Sequence, residues 1–409
     1  MTLTSARLPL EGVRVLDFCW AVAGPSVTRC LGDFGAEVIK VESTARLDHG
    51  RMLPPVIRTG GAEVGALFVN NNCDKLGVTL NMAHPTARDI ARRLAAMSDV
   101  VINNFASDAL ERWGLGYDDL VKVKPDIITV SMPLMGTDGP RANYGGYGTG
   151  LQAMAGLHYL TGFPDDPPLA SNIAYPDFGP NPMHTITAIL AALHYRNRTG
   201  QGQHIELCQL ESTVSFGAVP VLDYLANGVV EMRHGNRAET AAPHGAYRCR
   251  GDDRWCAIAV FTDAEWDKLT EVMGRPAWTR QQEFGSFPAR KEHEDELDRL
   301  LEAWTVNRDA DQTMMSLQQA GVAAGVVQSG KDITETDPQV RERGYFLRLK
   351  HPEVGEVVCE DVTIKLSASP GKVRRPGPGV GQDNEYVYRQ LLQMSEEEIN
   401  QCYVDGVFD

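Results

Sequence analysis

The chain reads as an α/β protein: a large Rossmann-like domain on a parallel sheet, with a smaller α+β domain inserted into it. Three observations predict this. Short apolar runs at 12–17, 37–42, 76–80, 100–103 and 127–131 alternate with helical periodicity, the pattern of parallel strands joined by crossovers. The composition shifts at Asn227, and two further strand-like runs, Gly245 to Arg250 and Arg254 to Phe261, flank the turn Gly251-Asp252-Asp253 as a hairpin. The chain has 409 residues, enough for two or three domains at about 150 residues each.

Taken in order, Gly12 to Asp17 is a strand, Gly24 to Phe34 a helix opened by Gly24-Pro25, and Glu37 to Glu42 a second strand. An acid closing the second strand suggests dinucleotide binding, yet the first turn reads AVAGP, without the GxGxxG glycines. The lookalike Gly148 to Ala153 fits GxGxxA but follows ANYGGY, which is no strand. Leu76 to Leu80 is a strand, and Pro85 to Met97 a helix with Ile90, Leu94 and Met97 on one face. Val100 to Asn103 and Ile127 to Ser131 are strands, with helical turns around Leu110 to Trp113, Leu120 and Val123. Gly136 to Gly156 is a glycine-rich loop carrying Tyr144 and Tyr147.

In the segment from Ala174 to Glu206, Met183, Ile186, Ile189, Leu190 and Leu193 recur at helical spacing. Asn181 is placed to cap that helix, Pro182 to open it and Gly200 to end it. His204 to Leu210 is a short strand or helix entry, and Val214 to Leu225 an apolar helix. After the hairpin come helices at 264–273, 291–304 and 311–320. The expected division is a large domain over 1–226, a small one over 227–340, and a segment over 341–409 that contains the extended connector Pro370 to Gly381 and an acidic helix from Ser395.

Composition narrows the function. A net charge of −15 and a pI near 5.2 argue against nucleic acid or an anionic membrane surface as partner. No run approaches the roughly 20 apolar residues a spanning helix needs. The eight cysteines form no CxxC pair and no framework, which suits reduced thiols in a cytoplasmic enzyme. His158, His184, His194 and His204 lack metal-ligand spacing, and no GxSxG elbow is present, so neither a metal nor a serine hydrolase is expected.

Asp177 stands out because it lies just before the central helix, where unpaired N–H groups favour a carboxylate. An ionised Asp is a usable nucleophile. A capping or turn role fits the same position.

Three stretches carry a resemblance: Gly12 to Glu42; Asp177 with the helix through Ala191, Ala192 and Leu193 and the run Arg198 to Gln203; and GYFLRLKHPEVG from Gly344, followed by Pro376 and the helix from Ser395. In this order and spacing the chain resembles the family III CoA-transferases over nearly its whole length. The resemblance implies Asp177 as nucleophile, an aspartyl mixed anhydride, an aspartyl-CoA thioester, acyl-CoA and small carboxylic acids as substrates, and no metal. It further implies an interlocked dimer, of identical chains or with a related subunit.

In the related formyl-CoA enzymes the matching residues assign CoA contacts to Val22, Ala23, Asn104, Phe105 and Arg112. Tyr147 aligns with a tyrosine near the nucleophile. Where those relatives have an arginine this chain has Ser43, and where they have a lysine it has a position near Gly145. Arg46, Arg51 and Lys75 are therefore candidates for the phosphate charge. Gly145, Gly146, Gly235 and Gly245 are candidate oxyanion donors, and the loop His234 to Gly245 is where the family carries a covering loop. The form YPDFGPN resembles members acting on dicarboxylic or aromatic acids, the succinyl-CoA:benzylsuccinate enzymes among them. Two alternatives stay open: an α-methylacyl-CoA racemase, although no histidine follows Gly146, and a non-catalytic subunit.

Overall fold

A computed structural model describes residues 7–59, 62–171 and 173–409. In chain order the strands are β1 (Arg14–Asp17), β2 (Glu37–Glu42), β3 (Val56–Thr59), β4 (Ala62–Gly65), β5 (Lys75–Thr79), β6 (Val100–Asn103), β7 (Ile128–Ser131), β8 (Gln203–Glu206), β9 (His244–Arg248), β10 (Trp255–Ala259), β11 (Ala323–Val326), β12 (Phe346–His351) and β13 (Gly355–Glu360).

The chain divides into two compact units. The first holds residues up to His158, Ala170–Val230 and Val340–Asp409; the second holds Tyr159–Leu169 and Glu231–Gln339. The first unit is organised by a six-stranded sheet in the order β5-β2-β1-β6-β7-β8, every pairing parallel. Counted along the chain, that is the doubly wound order 3-2-1-4-5-6, whose direction reverses between β1 and β6.

Alternation along each strand supplies both faces with apolar side chains, as a sheet covered on two sides requires. Val15, Val38, Val100, Ile102, Ile128 and Val130 pack on one side with Val27 and Leu31 of the helix Ala23–Asp33 and with Ile189 and Leu193 of the central helix. Leu16, Ile39, Val78 and Val101 pack on the other with Ile90 and Leu94 of the helix Pro85–Ala96. The C-terminal segment joins this second core. Tyr388 stacks on Phe408 at 4.3 Å, and its hydroxyl donates to the Thr79 carbonyl at 2.8 Å.

The second unit is an antiparallel sheet, β11-β10-β9, backed by helices. Its core gathers Tyr247, Cys256, Ile258, Trp266, Leu269, Leu297, Leu301 and Leu317. The expected boundary missed the segment Tyr159–Leu169, which belongs to this unit rather than to the large domain. Two hydrogen bonds account for the placement: the backbone Gly235 N–H donates to Gly162 O at 2.9 Å, and the Arg233 guanidinium donates to Tyr159 O at 3.1 Å.

The central helix spans Pro180–Thr199, with Gly179 rather than Asn181 at its cap and Gly200 in the left-handed conformation that ends it. Asn181 is instead buried at the second helical position, its Nδ2 donating to Gln209 Oε1 at 3.2 Å. The expected apolar stripe is also displaced. Ile189 and Leu193 are buried, but Met183 is 60% and Leu190 43% exposed, and Pro180, Asn181, Pro182, Thr185 and Ala192 complete the buried face. The apolar helix expected near 214–225 is two helices, Gln209–Phe216 and Ala218–Asn227, and the latter buries no residue. Among the described residues no helix is long and apolar enough to cross a membrane.

Candidate active site

The carboxyl ends of the parallel strands open onto a cavity of about 770 Å³. Its lining follows the strands in turn: Phe18 to Ala23 after β1, Ser43 to His49 after β2, Leu80 to Ala83 after β5, Asn104 to Trp113 after β6, and Pro133 to Gly148 after β7, with Asp177 and Gln209 closing the wall. This is where an open α/β sheet places its ligand, outside the strand ends at the reversal of strand order.

At the reversal point the two flanking turns clasp each other. Trp20 N–H donates to Asn104 Oδ1 and Asn104 Nδ2 donates to Trp20 O, both at 2.9 Å. Ala21 adopts φ +62°, a region an L-residue occupies only when held there. Asp48 does the holding: its Oδ1 accepts from Ala21 N–H and from Gly50 N–H, each at 2.8 Å, while its Oδ2 accepts from the buried Lys40 at 2.8 Å.

Asp177 lies in a short helical turn, Tyr175–Phe178, and is 7% exposed. The carboxylate-favouring helix end expected from the sequence is not the one it uses. Its hydrogen-bond donor is Gly148 N–H, at the start of the helix Gly148–Met154. Burial outweighs that bond and pushes the carboxyl up to about 6. Gly148 is required for the approach, since a Cβ there would lie 2.6 Å from Asp177 Cγ and from both carboxyl oxygens. The GxGxxA run thus opens a helix, as its glycines suggest, but against a carboxylate of the protein itself.

Of the other residues singled out in the sequence, Tyr147, Val22, Ala23, Asn104, Phe105, Arg112 and Arg46 all line this cavity. Arg46 lies 5.3 Å from the Trp20 ring centroid, and Arg112 pairs with Asp108 at 2.9 Å. Phe105 stands edge-on to Trp20 at 5.2 Å and to Trp113 at 6.0 Å.

Arg51 and Lys75 are corrected: both are buried ion-pair partners outside the lining. Arg51 grips Glu42 at 2.7 and 2.9 Å and packs 3.8 Å over Phe68. Lys75, 0% exposed, meets Asp17 at 3.2 Å, Asn72 at 2.8 Å and Pro25 O at 3.0 Å. Removing one member of such a pair leaves an uncompensated buried charge. Lys75→Met is therefore expected to destabilise by about 3–5 kcal/mol in urea unfolding. Arg46→Gln, at an exposed side chain, is expected to leave the unfolding midpoint unchanged.

Gly145 and Gly146 line the cavity, and neither N–H is engaged in a hydrogen bond among the described residues. Gly235 and Gly245 lie in the second unit, where the Gly235 N–H is already engaged by Gly162 O. The loop from His234 to Gly245 is pinned to helices of its own unit. Arg237 pairs with Glu294, Asp295 and Asp298, and Lys291 donates to Ala238 O at 2.9 Å.

Sequence reasoning passed over Trp20, His49, Leu80 to Ala83, Arg88 and Gln209, all in the lining. A usable signal existed for most of them, because each follows a parallel strand within a few residues. His49 carried none by spacing; the Asp48 cap on the turn His49–Arg51 brings it in.

The model of CoA-transferase family III matches residues 10–384. The chain is 33% identical over 393 residues to succinyl-CoA–D-citramalate CoA-transferase of Chloroflexus aurantiacus, covering 96% of each chain. To the succinyl-CoA–L-malate CoA-transferase beta subunit of the same organism it is 30% identical, covering 97% of each. Among solved structures, a CAIB/BAIF family protein from Brucella suis superposes with a TM-score of 0.86 at 31% identity, over 94% of this chain and 100% of that one. With the doubly wound sheet, the cavity at its strand ends and a family match over nearly its whole length, the chain belongs to CoA-transferase family III.

Proposed function

We propose that this CoA-transferase moves CoA from an acyl-CoA donor to a free carboxylic acid through covalent catalysis by Asp177. One observation carries the reading: a buried carboxyl, raised to about 6 and held by Gly148 N–H, faces the cavity beside Gly145 and Gly146. A group with that value is mostly ionised at neutral pH yet poorly solvated, as a carboxylate nucleophile needs to be. Glu42 also lines the cavity, but Arg51 holds it.

An Asp177 oxygen attacks the donor thioester carbonyl, the C–S bond breaks, and a mixed anhydride and CoA thiolate result. The thiolate attacks the aspartyl carbonyl, which expels the donor carboxylate and leaves an aspartyl-CoA thioester. The acceptor carboxylate attacks that thioester and releases the thiolate, which then takes the acceptor acyl group and frees Asp177. We assign the N–H groups of Gly145 and Gly146 to the oxyanions. Arg46 and Arg112, with Arg88 beside them in the lining, supply charge for the CoA phosphates.

The names of the relatives support succinyl-CoA as donor and a dicarboxylic acid as acceptor. The word subunit in one relative's name supports assembly with a related chain, and the apolar helix Ala218–Asn227, with no buried residue, supports burial against a partner, identical or related. Eight free cysteines suit a reducing cytoplasm.

Peptide mass spectrometry after incubation with succinyl-CoA and hydroxylamine or borohydride trapping tests the reading. A modified Asp177 is expected. Solvent deuterium entering the α-position of a branched acyl-CoA, without an adduct, would replace it by racemase chemistry, and neither signal would indicate a non-catalytic subunit.

A further inference from the structure

We infer that His49 is a specificity-determining residue of this site, binding the second carboxylate of a dicarboxylic acyl group while the first reacts at Asp177. The inference rests on the transferase reading above and adds to it the group that separates diacids from monoacids.

The cavity wall carries its polar groups in a definite succession. Gly148 N–H holds Asp177. Tyr147 precedes Gly148 in the chain, and the His49 ring stands edge-on to the Tyr147 ring at 6.4 Å. Trp20 follows, edge-on to His49 at 5.4 Å, and Arg46 lies over the Trp20 ring, 5.3 Å from its centroid. Followed from Gly148 along these contacts, the order is phenol, imidazole, indole, guanidinium. His49 is the first side chain in this succession that can carry positive charge.

His49 is also unoccupied by the fold. It is exposed, and neither ring nitrogen has a hydrogen-bond partner among the described residues, whereas Arg112 is paired with Asp108 and Arg88 donates to Met82 O at 2.9 Å. An imidazole keeps one N–H donor even when neutral and gains a second when protonated, so it suits a carboxylate in either state. The backbone beneath it is rigid, because Asp48 caps its turn through Gly50 N–H at 2.8 Å. Arg46, beyond the indole, is left for the nucleotide end of CoA.

The test compares succinyl-CoA with butyryl-CoA, which has the same acyl length but a methyl group in place of the distal carboxylate. The rate of adduct formation on Asp177 is measured for wild type, His49→Gln and His49→Phe. The wild type is expected to favour succinyl-CoA by at least about tenfold in kcat/KM, the worth of one charge-assisted bond. His49→Phe is expected to erase that preference by slowing succinyl-CoA alone, with His49→Gln intermediate. Equal loss for both thioesters, or no loss for either, overturns the inference while leaving Asp177 as nucleophile. Absence of any adduct in the wild type overturns the transferase reading itself, and this one with it.

Discussion

Asp177→Asn is expected to lower the transfer rate by at least about 10⁴-fold while making the protein more stable at neutral pH. The two effects have one origin. In the unfolded chain the carboxyl titrates near 3.8, and in the folded protein burial moves it to about 6. The folded state therefore binds that proton more tightly. The corresponding stability is fully present below about pH 3.8 and is lost as pH rises through about 6. A shift of roughly two units corresponds to about 3 kcal/mol, which the wild type forgoes at pH 7 and the Asn variant, having no proton to lose, does not. Asn also retains an oxygen to accept from Gly148 N–H. Urea unfolding of both proteins across pH 4–8 checks the sign: the gap in favour of Asn should open between about pH 4 and about 6 and level off above that. A variant that is inactive and less stable at pH 7 would mean Asp177 is a structural carboxylate. Wild-type acylation should also show a rising limb near pH 6, absent from steps that do not use the carboxylate.

The pattern of strands and helices was legible because its cause is local. The apolar runs of β1, β2, β6 and β7 and the helix after β1 emerge close to their expected bounds. Asp177 and the residues beside β1 and β6 were legible through resemblance, and the sheet order then places them at one cavity mouth. Charge pairing was not legible. Arg46, Arg51 and Lys75 look alike as letters, but Lys75 starts a buried strand next to Asp17 and Arg51 faces Glu42, whereas Arg46 meets only an indole ring among the described residues. The exposure of Met183 and Leu190 was hidden for a related reason. Periodicity reports which positions share a helix face, while the neighbour of that face is set by the fold. His49 was missed because no motif marks it, and its place depends on an aspartate one residue earlier that caps a single turn.

Gly148→Ala is expected to slow adduct formation on Asp177 by about 10²–10³-fold without unfolding the protein. Alanine at a helical position is ordinarily stabilising relative to glycine, by about 1 kcal/mol. Here the new Cβ would fall 2.6 Å from the carboxyl carbon and both its oxygens, closer than any real Cβ contact, so the carboxylate must retreat. Displacing a reacting group by about 1 Å costs on the order of 10²-fold. Retreat also lengthens the bond from the Gly148 N–H, the contact that lowers the carboxyl against the effect of burial, so the rising limb of the pH profile should move above pH 6. Gly150→Ala in the same helix is the control, since its Cβ meets nothing within 4 Å and the residue lies outside the cavity lining. Single-turnover trapping with succinyl-CoA on both variants separates the cases. Wild-type rates for Gly148→Ala would show that the carboxylate tolerates displacement and is not the attacking group. An equal loss in both variants would trace the effect to the helix rather than to the approach of one glycine to one carboxylate.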